Sequence, residues 1–315
     1  MLETRIAEAK NALLLAAEIS KQFYGKKLVI AYSGGKDSDV MLALAVDVLE
    51  TSDFEVINNH TSVDLPPTVK HIREVFRQLR EIGIEATVSI PIGDDGKQVN
   101  MTKLIIKNKY PPTRTARYCC KVLKESRVPN RICALGVRAQ ESTNRKGRDL
   151  FATRGTEGGY QNWPVDHVEE VLRKSKDDGL YMDDALIKAA INNEDLIVNP
   201  IYNWSDREIW QYINECGIET NPLYFPPYNY MRVGCGFCPM AGYNEKKKQE
   251  ADFPGYKRLY IRALDKMLEA RKARGLKNRA GWENGEEVYN WWIQEYQHTV
   301  KGQITIDEWL NSRKG

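Results

Sequence analysis

Apolar and polar positions follow two different periods along the chain. Residues 2–24, "LETRIAEAKNALLLAAEISKQFY", carry apolar side chains at helical spacing among acids and lysines and predict an N-terminal helix. "KKLVIAYS" is a short apolar, β-branched run with the character of a buried parallel strand, and "DVMLALAVDVLE" returns to helical spacing. "DFEVINNHTSVDLPPTVKHIREVFRQLREIGI" then reads as a second strand, a loop and an amphipathic helix that Pro66 and Pro67 suit as a start. "EATVSIPI" predicts a third strand, and "RICALGVRAQES" a further strand ending in Gly136. In "LIVNPIYNWSDREIWQYINECGI" a short strand precedes a helix capped by Ser205 or Asp206, with Ile209, Trp210 and Ile213 on one face. Strands alternating with helices predict an α/β fold: an open, mostly parallel twisted sheet with helices on both faces, binding ligands beyond the carboxyl ends of its strands.

The pattern divides the chain into an N-terminal helix over 1–24, an α/β domain over 25–242 and a helical, strongly charged and aromatic extension over 243–315. Residues 155–184 are polar and rich in acids and lysines, and are expected to form an insertion or mobile excursion. No apolar run approaches the roughly 20 residues that span a bilayer. The first residues lack a basic stretch leading to a small-residue cleavage site, so a cytoplasmic location without a membrane partner is expected. Net charge is only +3, but residues 103–154 hold many Lys and Arg with few acids. That stretch is either a solvated basic face or a contact for phosphates of a nucleotide or nucleic acid.

The strand-to-helix turn "AYSGGKDSDV", residues 31–40, carries the most chemistry. The first N–H groups of a helix lack intrahelical partners and sit at the positive end of its dipole, which suits an anion. Gly34 and Gly35 let a phosphate approach the backbone, Ser33 and Ser38 offer hydroxyls, and Lys36 adds a cation. Asp37 either caps the helix or reaches a divalent cation carried by a nucleotide. Thr61 and Asp64 lie where the second strand stops, and Arg138 and Glu141 lie beyond the strand that ends in Gly136. The turn is not a Walker A loop, which needs four residues between its glycine and its Gly-Lys pair. It resembles the SGGxDS signature of the PP-loop ATP pyrophosphatases. That resemblance implies ATP cleaved between its α and β phosphates, with Mg2+ bridging them, while an acceptor oxygen is adenylylated.

Six cysteines in a chain without a secretion signal favour metal or redox chemistry over disulfides. Cys119 and Cys120 are adjacent, and Cys235 and Cys238 form a C-x2-C. Four such thiolates can close a zinc site or hold a cubane cluster. Adjacent side chains diverge and chelate one small ion poorly, which favours a [4Fe-4S] cluster, with zinc and incidental buried cysteines as the other readings. Cys133 and Cys216 read as packing residues.

With these cysteines the resemblance widens to the phosphoadenosine-phosphosulfate reductase superfamily of adenine nucleotide alpha hydrolases, over roughly residues 25–242. It is carried by the phosphate loop, "LGVRAQES" with Arg145 following, "NPIYNWSDREIWQYI", "NPLY" at 221–224, and the CC plus C-x2-C pair. Family sulfonucleotide reductases use a cysteine in a C-terminal Glu-Cys-Gly motif and usually a degenerate loop; here no cysteine follows Cys238 and the loop is intact. Sulfate adenylyltransferase small subunits have the loop but generally no cluster cysteines. The branch with both features is the ATP-pyrophosphatase component of DNA phosphorothioation systems, which "PPTRTARYCCKVLKE" and the Thr61 loop also resemble.

That resemblance implies catalytic roles for Lys36, Asp37, Arg138 and Glu141. Nucleotide contacts are implied at Ser33, Gly34, Gly35, Lys36, Asp37, Ser38, Thr61, Asp64 and Arg145, and cluster ligation at Cys119, Cys120, Cys235 and Cys238. It further implies ATP, Mg2+ and a [4Fe-4S] cluster as cofactors, a cysteine desulfurase as sulfur donor, and DNA and other modification-system proteins as partners. Arg114, Arg117 and Arg148 are the expected DNA contacts. A sulfonucleotide reductase and a non-catalytic nucleotide- or cluster-binding protein are the alternatives.

Overall fold

The apolar run before the glycine pair forms β1, Leu28–Ala31, in a computed structural model that describes residues 1–93, 95–124, 131–141, 149–154, 160–177, 184–191, 195–276 and 281–294. β1 pairs in parallel with β2, Phe54–Asn59, on one side and with β4, Ile132–Ala134, on the other. Beyond β2 lies β3, Glu85–Ser89, and beyond β4 lies β7, Asp195–Val198, both parallel to their neighbours. The remaining edge is antiparallel: β5, Phe151–Arg154, runs against β7, and β6, Tyr160–Trp163, runs against β5. The sheet order is therefore β3-β2-β1-β4-β7-β5-β6, mostly parallel as the alternating pattern predicts.

Strand order reverses between β1 and β4. The chain builds β1, β2 and β3 outward in one direction, then returns to lay β4 on the other side of β1. Such a switch point leaves a crevice beyond the carboxyl ends of the two central strands, where open α/β sheets take their ligands. The loop after β1 and the loop after β4 both open there.

The helices follow from local signals. α1, Leu2–Tyr24, buries Ala9, Leu13, Ala16 and Ile19, and stops where Gly25 turns left-handed at φ 59°. α2, Lys36–Val48, follows β1 directly, and α3, Pro66–Glu81, begins with Pro66 at its first position, where a missing N–H costs nothing. α4, Met101–Asn108, and α5, Tyr118–Leu123, follow β3. The stretch 155–184, expected as an insertion or mobile excursion, holds regular structure: β6 and α6, Val165–Asp177, occupy much of it. α6 buries Val168, Val171 and Leu172 at helical spacing, while Asp166, Glu169, Glu170 and Arg173 are exposed on it. α7, Ala185–Ile191, precedes β7, and α8, Asp206–Cys216, follows it. Ser205 caps α8 in a reciprocal box with Glu208, and Gly217 ends it at φ 62°.

The chain divides into two units, Met1–Leu104 with Ala116–Gly236, and Ile105–Thr115 with Phe237–Gly315. Where the sequence pattern puts a boundary at residue 242, this division falls at Gly236 and draws in an eleven-residue internal segment. The first unit holds the sheet and a continuous apolar core around it. The second is built on α9, Tyr243–Asp252, α10, Pro254–Ala273, and α11, Gly285–Ile293. Its core is aromatic: Tyr260 stands 5.6 Å from Phe237 and 4.9 Å from Trp292, ring centre to ring centre. Among the described residues no helix is long and apolar enough to cross a membrane.

Candidate functional site

The turn between β1 and α2 is held by its own side chains. Gly34 adopts φ 71°, and a Cβ there would stand 2.8 Å from Ile72 Cγ1 of α3, so neither the conformation nor the space admits a larger residue. The Ser38 hydroxyl accepts from Gly35 N at 3.1 Å and donates to Gly35 O at 2.7 Å, fixing the first turn of α2. Asn221 Nδ2 donates to Gly34 O at 2.7 Å and to Thr68 Oγ1 at 3.1 Å. Gly136, in the loop after β4, packs against the same turn: a Cβ there would lie 3.2 Å from the carbonyl carbon and oxygen of Asp37.

Four charged side chains converge on this turn. Arg138 Nε donates to Asp37 Oδ1 at 2.6 Å, and its NH2 donates to Asp206 Oδ1 at 3.0 Å. Lys36 Nζ lies 3.1 Å from that same Asp206 oxygen. The two cations are buried, at 6% and 5% side-chain exposure, whereas Asp206 is 56% exposed. Partial burial opposes the charge on Asp206, but hydrogen bonds and attraction from Lys36 and Arg138 outweigh it and hold the carboxyl below its ordinary range. Lys36 Nζ also sits 5.8 Å from the centre of the Trp210 ring and 5.4 Å from that of Tyr224. The Tyr224 hydroxyl accepts from Lys36 N at 3.1 Å, and burial pushes that phenol's pKa well up, so it stays protonated.

Several expected residues thus come together in the first unit: Ser33, Gly34, Gly35, Lys36, Asp37, Ser38 and Arg138. Of the two readings of Asp37, the cap falls to Gly35, and the Asp37 carboxylate pairs with Arg138. Glu141 lies in a short 3-10 turn, Ala139–Glu141, where its Oε2 accepts from Arg138 N at 3.2 Å. Thr61 is buried after β2, and its N–H donates to Asp64 Oδ2 at 3.4 Å. Arg145 and Arg148 lie outside the described residues. Sequence reasoning misses Asp206 as a charge partner, reading it as a cap; the signals for Asn221 and Tyr224 lie in the "NPLY" stretch without a stated role.

Three of the four expected cluster cysteines lie in the first unit. Cys119 and Cys120 lie in the first turn of α5, a setting that favours thiolate. A hydrogen bond from Cys119 is the main cause that lowers the Cys120 pKa to about 5, against partial burial and aided by Arg117 and Lys124. Arg117 NH2 donates to Cys120 Sγ at 3.4 Å. Cys235 pairs through its backbone with Asp64 after β2, while Cys238 belongs to the second unit. Among the described residues no group of three or more His, Cys, Asp or Glu is spaced to hold a single metal ion. Cys133 is half-buried in β4; Cys216, expected to pack, is exposed at the end of α8.

Comparison with known proteins follows the same outline. The profile of the phosphoadenosine phosphosulfate reductase domain matches residues 27–241. An uncharacterized protein of Methanocaldococcus jannaschii is 25% identical over 238 residues, 73% of this chain and 39% of the relative. Sulfate adenylyltransferase subunit 2 of Hyphomonas neptunium is 27% identical over 201 residues, 63% of this chain and 56% of the relative. The chain therefore spans less than two thirds of the length of either relative. Among solved structures, the U34-tRNA thiolase NcsA of Methanococcus maripaludis with its [4Fe-4S] cluster aligns with a TM-score of 0.42 at 13% identity, over 97% of this chain and 87% of that one.

Proposed function

Since the chain belongs to the phosphoadenosine phosphosulfate reductase domain family, we propose that it cleaves ATP between the α and β phosphates and transfers the adenylyl group to an acceptor destined for sulfur. The observation that carries this reading is the turn at the switch point, with Lys36 and Arg138 buried beside it and held by the exposed Asp206. Those cations are placed to neutralise the leaving pyrophosphate, and preorganised charge of this kind is commonly the largest catalytic contribution. A hydroxyl or phosphate oxygen of the acceptor attacks Pα, the Pα–O bond to the β phosphate breaks, and pyrophosphate leaves. Mg2+ carried by the nucleotide supplies further neutralisation of the phosphates. Asp37, Glu141, Thr61, Asp64 and Arg145 are proposed contacts to nucleotide or acceptor.

The proposed acceptor is the DNA backbone. Its adenylylated phosphate loses AMP when the terminal sulfur of a persulfide attacks phosphorus, and a thiol then opens the remaining S–S bond. A cysteine desulfurase supplies the persulfide. Cys119, Cys120, Cys235 and Cys238 are proposed to hold a [4Fe-4S] cluster, for which an all-thiol donor set with one readily ionised member is suited. Protein prepared without oxygen should then be brown and contain about four irons per chain, and Cys119→Ser should bleach it.

The test of the reaction is release of labelled pyrophosphate from ATP with the acceptor and sulfur donor present. Lys36→Ala and Arg138→Ala should each lower the rate by about 10²-fold. Unchanged rates in both variants would sink the assignment.

A further inference from the structure

A groove between α2 and α3, with the loop before "NPLY" along one side, is lined by none of Lys36, Asp37, Arg138 and Asp206. It encloses about 680 Å³. Its walls are apolar, with Leu42, Val46, Val75, Leu79, Ile82 and Ile218 among them, and Val46 and Ile82 remain 40% and 56% exposed.

Three buried polar side chains stand in the same groove: Tyr32, Asp39 and His71, at 2%, 5% and 6% exposure. The Tyr32 hydroxyl donates to Asp39 Oδ1 at 2.6 Å. Burial, then the Asp39 charge, raises that phenol's pKa far above its ordinary value, so the donated proton stays on tyrosine. His71 Nε2 is 3.1 Å from the same Oδ1 and 3.0 Å from the Tyr32 oxygen. It meets only an acceptor and a hydroxyl whose proton is already committed, so Nε2 carries hydrogen. Asp39 Oδ1 therefore takes two donors, while the equally buried Oδ2 takes none. A buried carboxylate oxygen is costly to leave bare, and the group it calls for is an N–H donor with positive charge. The rim agrees in sign: Asp47, Glu74 and Glu219 face Lys70 alone. Lys10 and Arg77 pair with Asp47 and Glu74, and the bare Asp39 Oδ2 remains as the acceptor for a cationic head.

We propose that this groove binds a small amphipathic organic cation, its apolar body along the walls and an amine or amidinium head donating to Asp39. The site uses Tyr32 and Asp39, which flank the Ser33–Ser38 turn, but its lining includes none of those six residues and it does not depend on the ATP reading.

Benzamidine, with benzamide as its neutral isostere, tests the proposal by titration calorimetry on the full chain at neutral pH. Benzamidine should bind about 10-fold tighter than benzamide or better. Asp39→Asn should erase that preference, and Val46→Trp, which fills the wall away from the polar cluster, should abolish binding of both while the melting temperature holds. No binding of benzamidine at millimolar concentration, equal affinities in the wild type, or a preference that survives in Asp39→Asn would each overturn it. If Asp39→Asn fails to fold, the wild-type ratio and Val46→Trp decide, and binding retained in Val46→Trp overturns the site.

Discussion

Asp206 is the exposed partner of two buried cations, and its position sets what an incoming phosphate must displace. Replacing it by Asn removes a competing anion without removing either cation. Asp206→Asn should therefore bind inorganic pyrophosphate several-fold to about 10-fold tighter in calorimetry; weaker binding would mean that Asp206 orients Lys36 and Arg138 rather than masking them. A pH prediction belongs to Cys120. Its thiol has a pKa of about 5 in the folded chain against an ordinary value of 9.0. Between those values the unfolded chain binds the extra proton, so this group adds stability as pH rises from about 5 to 9 and loses it as pH falls back through 5. In metal-free protein, iodoacetamide should alkylate Cys120 at a rate that levels off above roughly pH 6; a rate still climbing toward pH 9 would contradict it. The loop residues were legible because they are consecutive. Asp206 was not, since its partners stand 170 and 68 positions away and no local spacing reports such a pair.

At the scale of elements, the phosphate turn depends on two glycines for different reasons. Gly34 needs a left-handed backbone and has no room for a Cβ, while Gly136 lets the β4 loop approach the Asp37 backbone. Gly34→Ala should cost about 1 kcal/mol or more in urea unfolding and abolish nucleotide binding together. Stability unchanged within error would show that Ile72 yields and the turn tolerates the strain. The alternation of strand and helix patterns was enough to predict the central sheet, and the pair Ser205 and Asp206 marked the start of α8, where Ser205 is the cap. α6 went unread because seven of its thirteen residues are charged, and these hide the i, i+3, i+4 spacing of Val168, Val171 and Leu172. The antiparallel edge had no signal of its own, as β5 and β6 are four residues each.

For the molecule as a whole, the DNA reading predicts an affinity that falls with salt by a log–log slope of about −0.9 per phosphate neutralised. Arg114 is exposed in the second unit, where its Nε donates to Pro239 O at 3.2 Å. Arg114→Glu should flatten the slope by about one contact or more in filter binding with the desulfurase present. An unaltered slope would remove Arg114 from the interface, and no salt-dependent binding by the wild type would turn the reading toward a small-molecule or RNA acceptor. Arg117→Glu is a poorer probe because it also disturbs Cys120.

The interrupted course of the second unit sets an order on how the protein is made. Pro112 O receives Trp292 Nε1 at 2.6 Å, and Lys109 O receives Arg271 at 2.8 Å, so the short internal segment is completed only by residues synthesised much later. The 121 residues of Ala116–Gly236 separate the two parts, a delay of roughly 6–24 s at about 5–20 residues per second. Throughout that interval the nascent chain carries Ile105, Pro111 and Pro112, all buried in the finished protein, without their partners. A chain stopped at Gly236 should keep this hook bare, so trypsin should cut at Lys107, Lys109 or Arg114 far faster than in the full chain. Equal protection would show that the first unit shelters the hook alone; faster cutting would make the interval before Arg271 and Trp292 emerge the stage of synthesis at which this hook is open to aggregation.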